Sequence, residues 1–224
     1  MKSSPKFFVA GSVQVALFGA MLFAAAGTLN YWQAWVFLTI FVLSIWIPSI
    51  YLLRTNPAAL QRRTRSGPTA EPRLAQKIAI GGTWVSLTAM FVVSALDHRL
   101  GWSSVPTAIS LVGDALAAVG LAIAMLALIQ NSYAAATVRV ESGQQLISTG
   151  LYGRVRHPMY TGNVIAMIGI PLALGSYWGL AFLVTGVIVL ALRIRDEEKL
   201  LQDELDGYRE YTQKVRYRLV PSMW

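Results

Sequence analysis

The chain of 224 residues has no cysteine. Disulfides, thiolate zinc sites, iron–sulfur clusters and a cysteine nucleophile are excluded together. Histidine is almost missing too: His98 and His157 are the only two and fall in different segments, so no metal site is expected. Charge is scarce, with 13% of residues Asp, Glu, Lys or Arg, against about 25% in ordinary soluble domains. No glycine fingerprint for a dinucleotide follows a strand, because Gly81-Gly82 lies inside an apolar run. Internal repeats, low-complexity tracts and a soluble second domain are also lacking.

What the chain does have is apolar length, with 55% hydrophobic residues. Runs near 20 residues recur, and such a run crosses the roughly 30 Å hydrocarbon layer as a helix. The expected fold is therefore all-α, a polytopic transmembrane bundle forming one integral membrane domain. Four long spans are expected at Phe7–Thr28, Tyr31–Leu53, Ile78–Leu96 and Val105–Gln130. The first is expected to be a retained span and not a signal peptide, given its length. From Tyr160 to Ile194 the chain is apolar but broken at Gly175–Gly179, which predicts a helical hairpin whose first arm bends at Pro171. Leu200, Leu201, Leu205 and Tyr208 recur at helical spacing among charges, predicting a surface amphipathic helix over Arg195–Lys214.

Net charge is +8. Basic loops beside membrane spans account for such an excess more readily than nucleic-acid binding, which is not expected. Drawn as hairpins, these spans leave the N-terminus, the loop Arg54–Lys77, the stretch Asn131–His157 and the C-terminal tail on one side. Of 19 Lys and Arg residues only Arg99 falls on the other, so the shared side is expected to be cytoplasmic. In the Arg54–Lys77 loop the one acid is Glu71, and Pro57, Pro68 and Pro72 discourage a continuous helix. Thr137–Val140 and Gln145–Ser148 read as short extended pieces.

Two polar clusters border the bilayer. In Gly150–Gly162, Pro158 biases His157 away from helix and lets Met159 begin one, and a helix start with free N–H groups suits a carboxylate. The plainer reading makes Arg154, Arg156 and His157 interfacial anchors. In Arg193–Glu198, Arg193 and Glu197 are four apart and share a helix face. Arg before Glu is the weaker order for a simple helix-supporting pair, so a cation and an anion held there for ligands is the sharper reading. Asp114 interrupts the fourth span with no basic partner in it, and is expected to face the bundle and bond a Ser, Thr, Trp or Tyr, or to be protonated.

The Gly150-Leu151-Tyr152 lead-in, the Arg156–Gly162 core, the Glu197-Glu198 pair, then Tyr208, Tyr211 and a closing Pro221 resemble the isoprenylcysteine carboxyl methyltransferase family and related membrane phospholipid methyltransferases. These words span Asn131 to Pro221, leaving residues 1–130 as N-terminal helices and 131–224 as the cofactor-binding core. The resemblance implies S-adenosylmethionine held at the cytosolic ends of membrane helices, without a Rossmann fold. It implies cofactor contacts at Gln145, Leu146, Ile147, Tyr152, His157, Pro158, Met159, Tyr160 and Glu197, with Arg193 meeting the substrate and Arg193 and Glu197 as the catalytic pair. The acceptor it implies is a lipophilic small molecule or lipid reached from the surrounding membrane lipids, including a carboxylate of the isoprenylcysteine type. In length the chain resembles bacterial and archaeal members. Membrane sterol reductases resemble the family in their C-terminal halves and bind a nicotinamide cofactor there, so a reductase remains the rival enzyme. A non-catalytic membrane scaffold is the third reading.

Overall fold

Eight α-helices and two 3₁₀ turns make up the regular structure of a computed structural model, which describes residues 4–64, 71, 73–134 and 137–224. Lys2, Arg65, Pro68 and Pro72 lie outside the described residues, as do the side chains of Lys6 and Arg63. The helices are α1 (Ser4–Ala26), α2 (Trp32–Thr55), α3 (Pro57–Thr64), α4 (Leu74–Leu100), α5 (Thr107–Gln130), α6 (Pro158–Ala173), α7 (Ala181–Glu204) and α8 (Tyr208–Lys214). The short turns are Gly150–Gly153 and Trp178–Leu180. No strand forms among the described residues, so 137–140 and 145–148 are irregular segments without a ladder.

Among the described residues four helical stretches are long and apolar enough to cross a membrane: α2, α4, α5 and Trp178–Glu204. Only 22% to 39% of their most apolar windows is buried inside the protein. The remaining apolar surface needs lipid around it, since continuous bands of that size are not tolerated in water. Among the described residues Gly11–Ala26 of α1 and Pro158–Ala173 are shorter apolar helices. The chain is thus a multi-pass membrane protein.

The expected hairpin is present, with unequal arms. α6 has 16 residues, while α7 has 24 and carries its helix past the apolar stretch to Glu204. The amphipathic helix expected over Arg195–Lys214 is therefore corrected: its first half belongs to α7, and α8 is a separate seven-residue helix. The break falls at Gly207, whose φ of 77° is left-handed and accessible at little cost only to glycine.

α5 and α6 pack antiparallel, almost backbone on backbone. A Cβ on Gly113 or Gly120 of α5, or on Gly162 or Gly169 of α6, would overlap backbone atoms of the opposing helix. Small residues two turns apart on both helices permit this approach, as in other membrane helix pairs. The seam fixes the start of α6 beside the end of α5, and that placement creates the site. A second core joins α1, α2, α4 and α6, where Phe18 meets Phe91 edge-on at 4.5 Å around buried Leu22, Phe37 and Met90.

Polar contacts gather at two opposite ends. At one, Asp97 accepts from Ser103 N and Oγ, both at 2.6 Å, and from Ser176 Oγ at 2.5 Å, while Tyr31 OH donates to Leu174 O at 2.6 Å. At the other lie the described parts of 54–77, 131–157 and 193–224, rich in basic residues. Asp114 is buried in α5, and neither carboxyl oxygen has a hydrogen-bond partner, nor does Ser110 Oγ one turn earlier. The expected side-chain bond for Asp114 is not made.

Candidate functional site

Pro158 opens α6, where its missing N–H costs nothing because the first turn leaves such groups unpaired anyway. His157 precedes it at φ −125° and ψ 62°, outside the helical region. Gln130 at the end of α5 accepts the Leu151 N–H at 2.9 Å, tying the Gly150–Gly153 turn to that helix. The loop leading into Pro158 is thus held from α5.

Its other support is Glu198 on α7. One carboxylate oxygen accepts from Arg156 Nε at 2.6 Å and lies 3.2 Å from His157 Nε2; the other accepts from Arg218 Nε at 2.8 Å. The C-terminal tail completes the clamp: Arg156 N and His157 N donate to the carbonyls of Tyr217 and Arg218, both at 2.9 Å. Arg156 also donates to the carbonyls of Val215 and Arg216. Glu198 therefore binds the loop and tail to α7.

Glu197 is the adjacent helix position, rotated by about 100°, and faces elsewhere. Its Oε2 accepts from Tyr160 OH at 2.7 Å; that phenol oxygen accepts from Arg193 Nε at 3.0 Å. Arg193 Nη2 in turn donates to Glu71 Oε1 at 3.1 Å, and Glu71 Oε2 accepts from Val138 N at 3.1 Å. Nearby, Gln76 and Arg73 bond Asp196 at 2.6 and 2.7 Å. One relay thus joins α7, α6, the segment before α4 and the 137–140 segment.

A cleft opens beside this relay, with about 780 Å³ of non-atom space when its open mouth is included. Gln145, Leu146, Ile147, Tyr152, His157, Met159, Tyr160 and Glu197 all line it. Pro158 does not line it and acts by starting α6. Arg193 is also off the lining, one turn nearer the apolar arm than Glu197 and behind Tyr160. Leu201, Leu205, Tyr208 and Tyr211 form the opposite wall. Leu201 and Leu205, which the sequence assigns to a surface stripe, are covered by α8 and the 140–146 segment.

The wall is aromatic and its phenols are protonated. Burial pushes the Tyr211 hydroxyl up to about 12, helped by Glu198, and it donates to Tyr152 O at 2.6 Å. Burial likewise raises Tyr152 and Tyr208, the latter with further lift from Glu198 and Glu197. Tyr152 and Tyr211 serve as donors and Tyr208 offers its ring face, none of them acting as a base. The sequence reading missed Glu71 and the clamp roles of Glu198, Arg156 and Arg218. A lone acid in a strongly basic loop was the available signal for Glu71.

The donor set fits S-adenosylmethionine. Glu197 offers an anion to a sulfonium or ammonium group, the tyrosine rings offer faces to a cation or a base, and the start of α6 offers N–H groups to a carboxylate.

Comparison with known proteins bears on the same region. Residues 108–205 match the family model for phospholipid methyltransferases. Mouse Delta(14)-sterol reductase is 31% identical over 91 residues, covering 39% of this chain and 22% of the reductase. The chain thus matches less than a quarter of that relative's length. The family match runs from α5 through α7, the helices that build the glycine seam and present Tyr160, Glu197 and Glu198. Residues 108–205, a little under half of the chain, are thus similar to the phospholipid methyltransferase family.

Proposed function

We propose that the protein is an S-adenosylmethionine-dependent methyltransferase acting on a small amphiphilic or lipidic acceptor at the cytoplasmic face of its membrane. The observation that carries this reading is the convergence of eight expected cofactor positions on one cleft, at the same end as the basic segments, beside helices built to sit in lipid. When bound, the cofactor supplies an electrophilic methyl group on a positive sulfur.

The chain's part is attraction, alignment and exclusion of water. Glu197, oriented by Tyr160, supplies the anionic wall for a cationic ligand. Leu146, Ile147, Leu201 and Leu205 keep the neighbourhood apolar, which favours a charge-neutralising transfer. Holding two reactants in line contributes most to such a reaction, and no acid or base is demanded of the protein when the nucleophile is already unprotonated. His157 is bound to Glu198 and shapes the wall without being needed as a base. Arg193 steadies Tyr160 from the membrane side.

The likeness to a Delta(14)-sterol reductase supports a second reading, a nicotinamide-dependent reductase. Calorimetry on the purified protein separates the two: S-adenosylhomocysteine should bind and NADPH should not. Glu197→Gln should weaken S-adenosylhomocysteine about tenfold, the loss of one charge-assisted contact, while barely changing thermal stability. Binding of NADPH alone would establish the reductase. Binding of neither would leave the scaffold. The acceptor is then sought by incubating labelled cofactor with host membrane extract.

A further inference from the structure

Glu71 is the single acid of the Arg54–Lys77 segment. Its side chain is fully enclosed, 0% exposed, and Arg193 is 7% exposed. A carboxylate so placed persists only when matched, and both its oxygens are: one by Arg193, the other by the Val138 N–H. The neighbouring Arg73 and Gln76 hold Asp196 and the Arg193 carbonyl. Glu71, Arg73 and Gln76 are therefore all keyed to the turn of α7 that carries Arg193.

Arg193 sits behind Tyr160, between the cleft and the apolar arm of α7, the side from which a membrane-borne acceptor would arrive. Its charge is already answered from within the chain. Along the relay there is one cation, Arg193, and two anions, Glu71 and Glu197. A cofactor with one net positive charge brings this set to neutrality. A free carboxylate arriving next would have to displace Glu71 or remain uncompensated in a site of low dielectric.

Resting on the methyltransferase reading, we propose that Glu71 is a specificity-determining positioning residue: by occupying Arg193 it sets the acceptor seat against free carboxylates and towards head groups without net negative charge. This departs from the carboxylate acceptor that the resemblance implies. It also gives the segment before α4, which carries no word of the resemblance, a direct part in substrate choice.

The test compares dodecanoate with its methyl ester as binding probes on the full-length protein in detergent, with and without saturating S-adenosylhomocysteine. The wild type should bind the two within a few-fold of each other. In Glu71→Gln, dodecanoate should gain about tenfold over the ester, because a hydrogen-bonded buried cation is left seeking an anion. Glu71→Asp should restore the wild-type ratio, and Glu71→Gln combined with Arg193→Gln should abolish the gain. A merely structural role would weaken both probes together. An unchanged ratio in folded Glu71→Gln, or a tenfold preference for dodecanoate in the wild type, overturns the proposal. Should Glu71→Gln fail to fold, Arg193→Gln decides: it should leave the ratio unmoved, and a selective loss of dodecanoate binding overturns the proposal. Failure of S-adenosylhomocysteine to bind the wild type would refute the methyltransferase reading on its own, with the probe ratio still judging Glu71.

Discussion

Replacing Glu198 by alanine should damage the protein far more than the same change at its neighbour Glu197. Glu198, Arg156 and His157 have side chains only 4%, 6% and 5% exposed, so removing the carboxylate strands a buried guanidinium. Breaking one buried pair costs about 3–5 kcal/mol. Arg218 is 32% exposed, so its share is discounted to less than about 1 kcal/mol. For a chain of this size each kcal/mol moves the melting temperature by about 2–4 °C, and the total of about 3–6 kcal/mol should lower it by roughly 6–24 °C. Glu197 loses one bond to a neutral phenol, worth about 1 kcal/mol. The assay is thermal unfolding of ligand-free protein in one detergent, followed by tryptophan fluorescence. Limited trypsin digestion gives a second readout, since loss of Glu198 should free the tail and hasten cleavage at Arg216 and Arg218. A Glu198→Ala variant that melts within the range of Glu197→Ala, with its tail still protected, would refute the clamp.

Gly120→Leu should abolish the close approach of α5 and α6, since even a Cβ overlaps the backbone of α6; loss of a monodisperse peak on size-exclusion chromatography is the expected result, with Gly81→Ala, whose added Cβ meets open space, as the tolerated control. Glu141 joins α3 to the 131–157 stretch, and although burial works against its charge, Arg62 and Arg139 hold its carboxyl below the usual range. Because that shift is downward, its stabilisation exists above the unfolded value near pH ~4.3 and disappears as pH falls through the lower folded value. The melting difference between wild type and Glu141→Gln should therefore be present at pH 7 and shrink in acid; a difference that grows in acid would contradict the assignment.

Membrane residence, the spans α2, α4 and α5 and the wall residues from Gln145 to Glu197 are legible in the sequence, because they rest on local quantities. Apolar length, a proline that forces a helix start and a four-residue spacing keep their meaning wherever the segment lies. The structure alone decides which neighbour answers each polar group. Glu197 and Glu198 look interchangeable as letters, yet about 100° of helix rotation turns one to the cleft and the other to Arg156, His157 and Arg218. Arg193 and Glu71, separated by 122 positions, meet only because α4 and α7 pack together. An apolar stripe such as Leu201 and Leu205 has no label saying whether lipid, water or a returning tail will cover it. Periodicity fixes a face relative to its own helix axis; what that face meets depends on packing between distant segments, and here the glycine seam of α5 and α6 sets it.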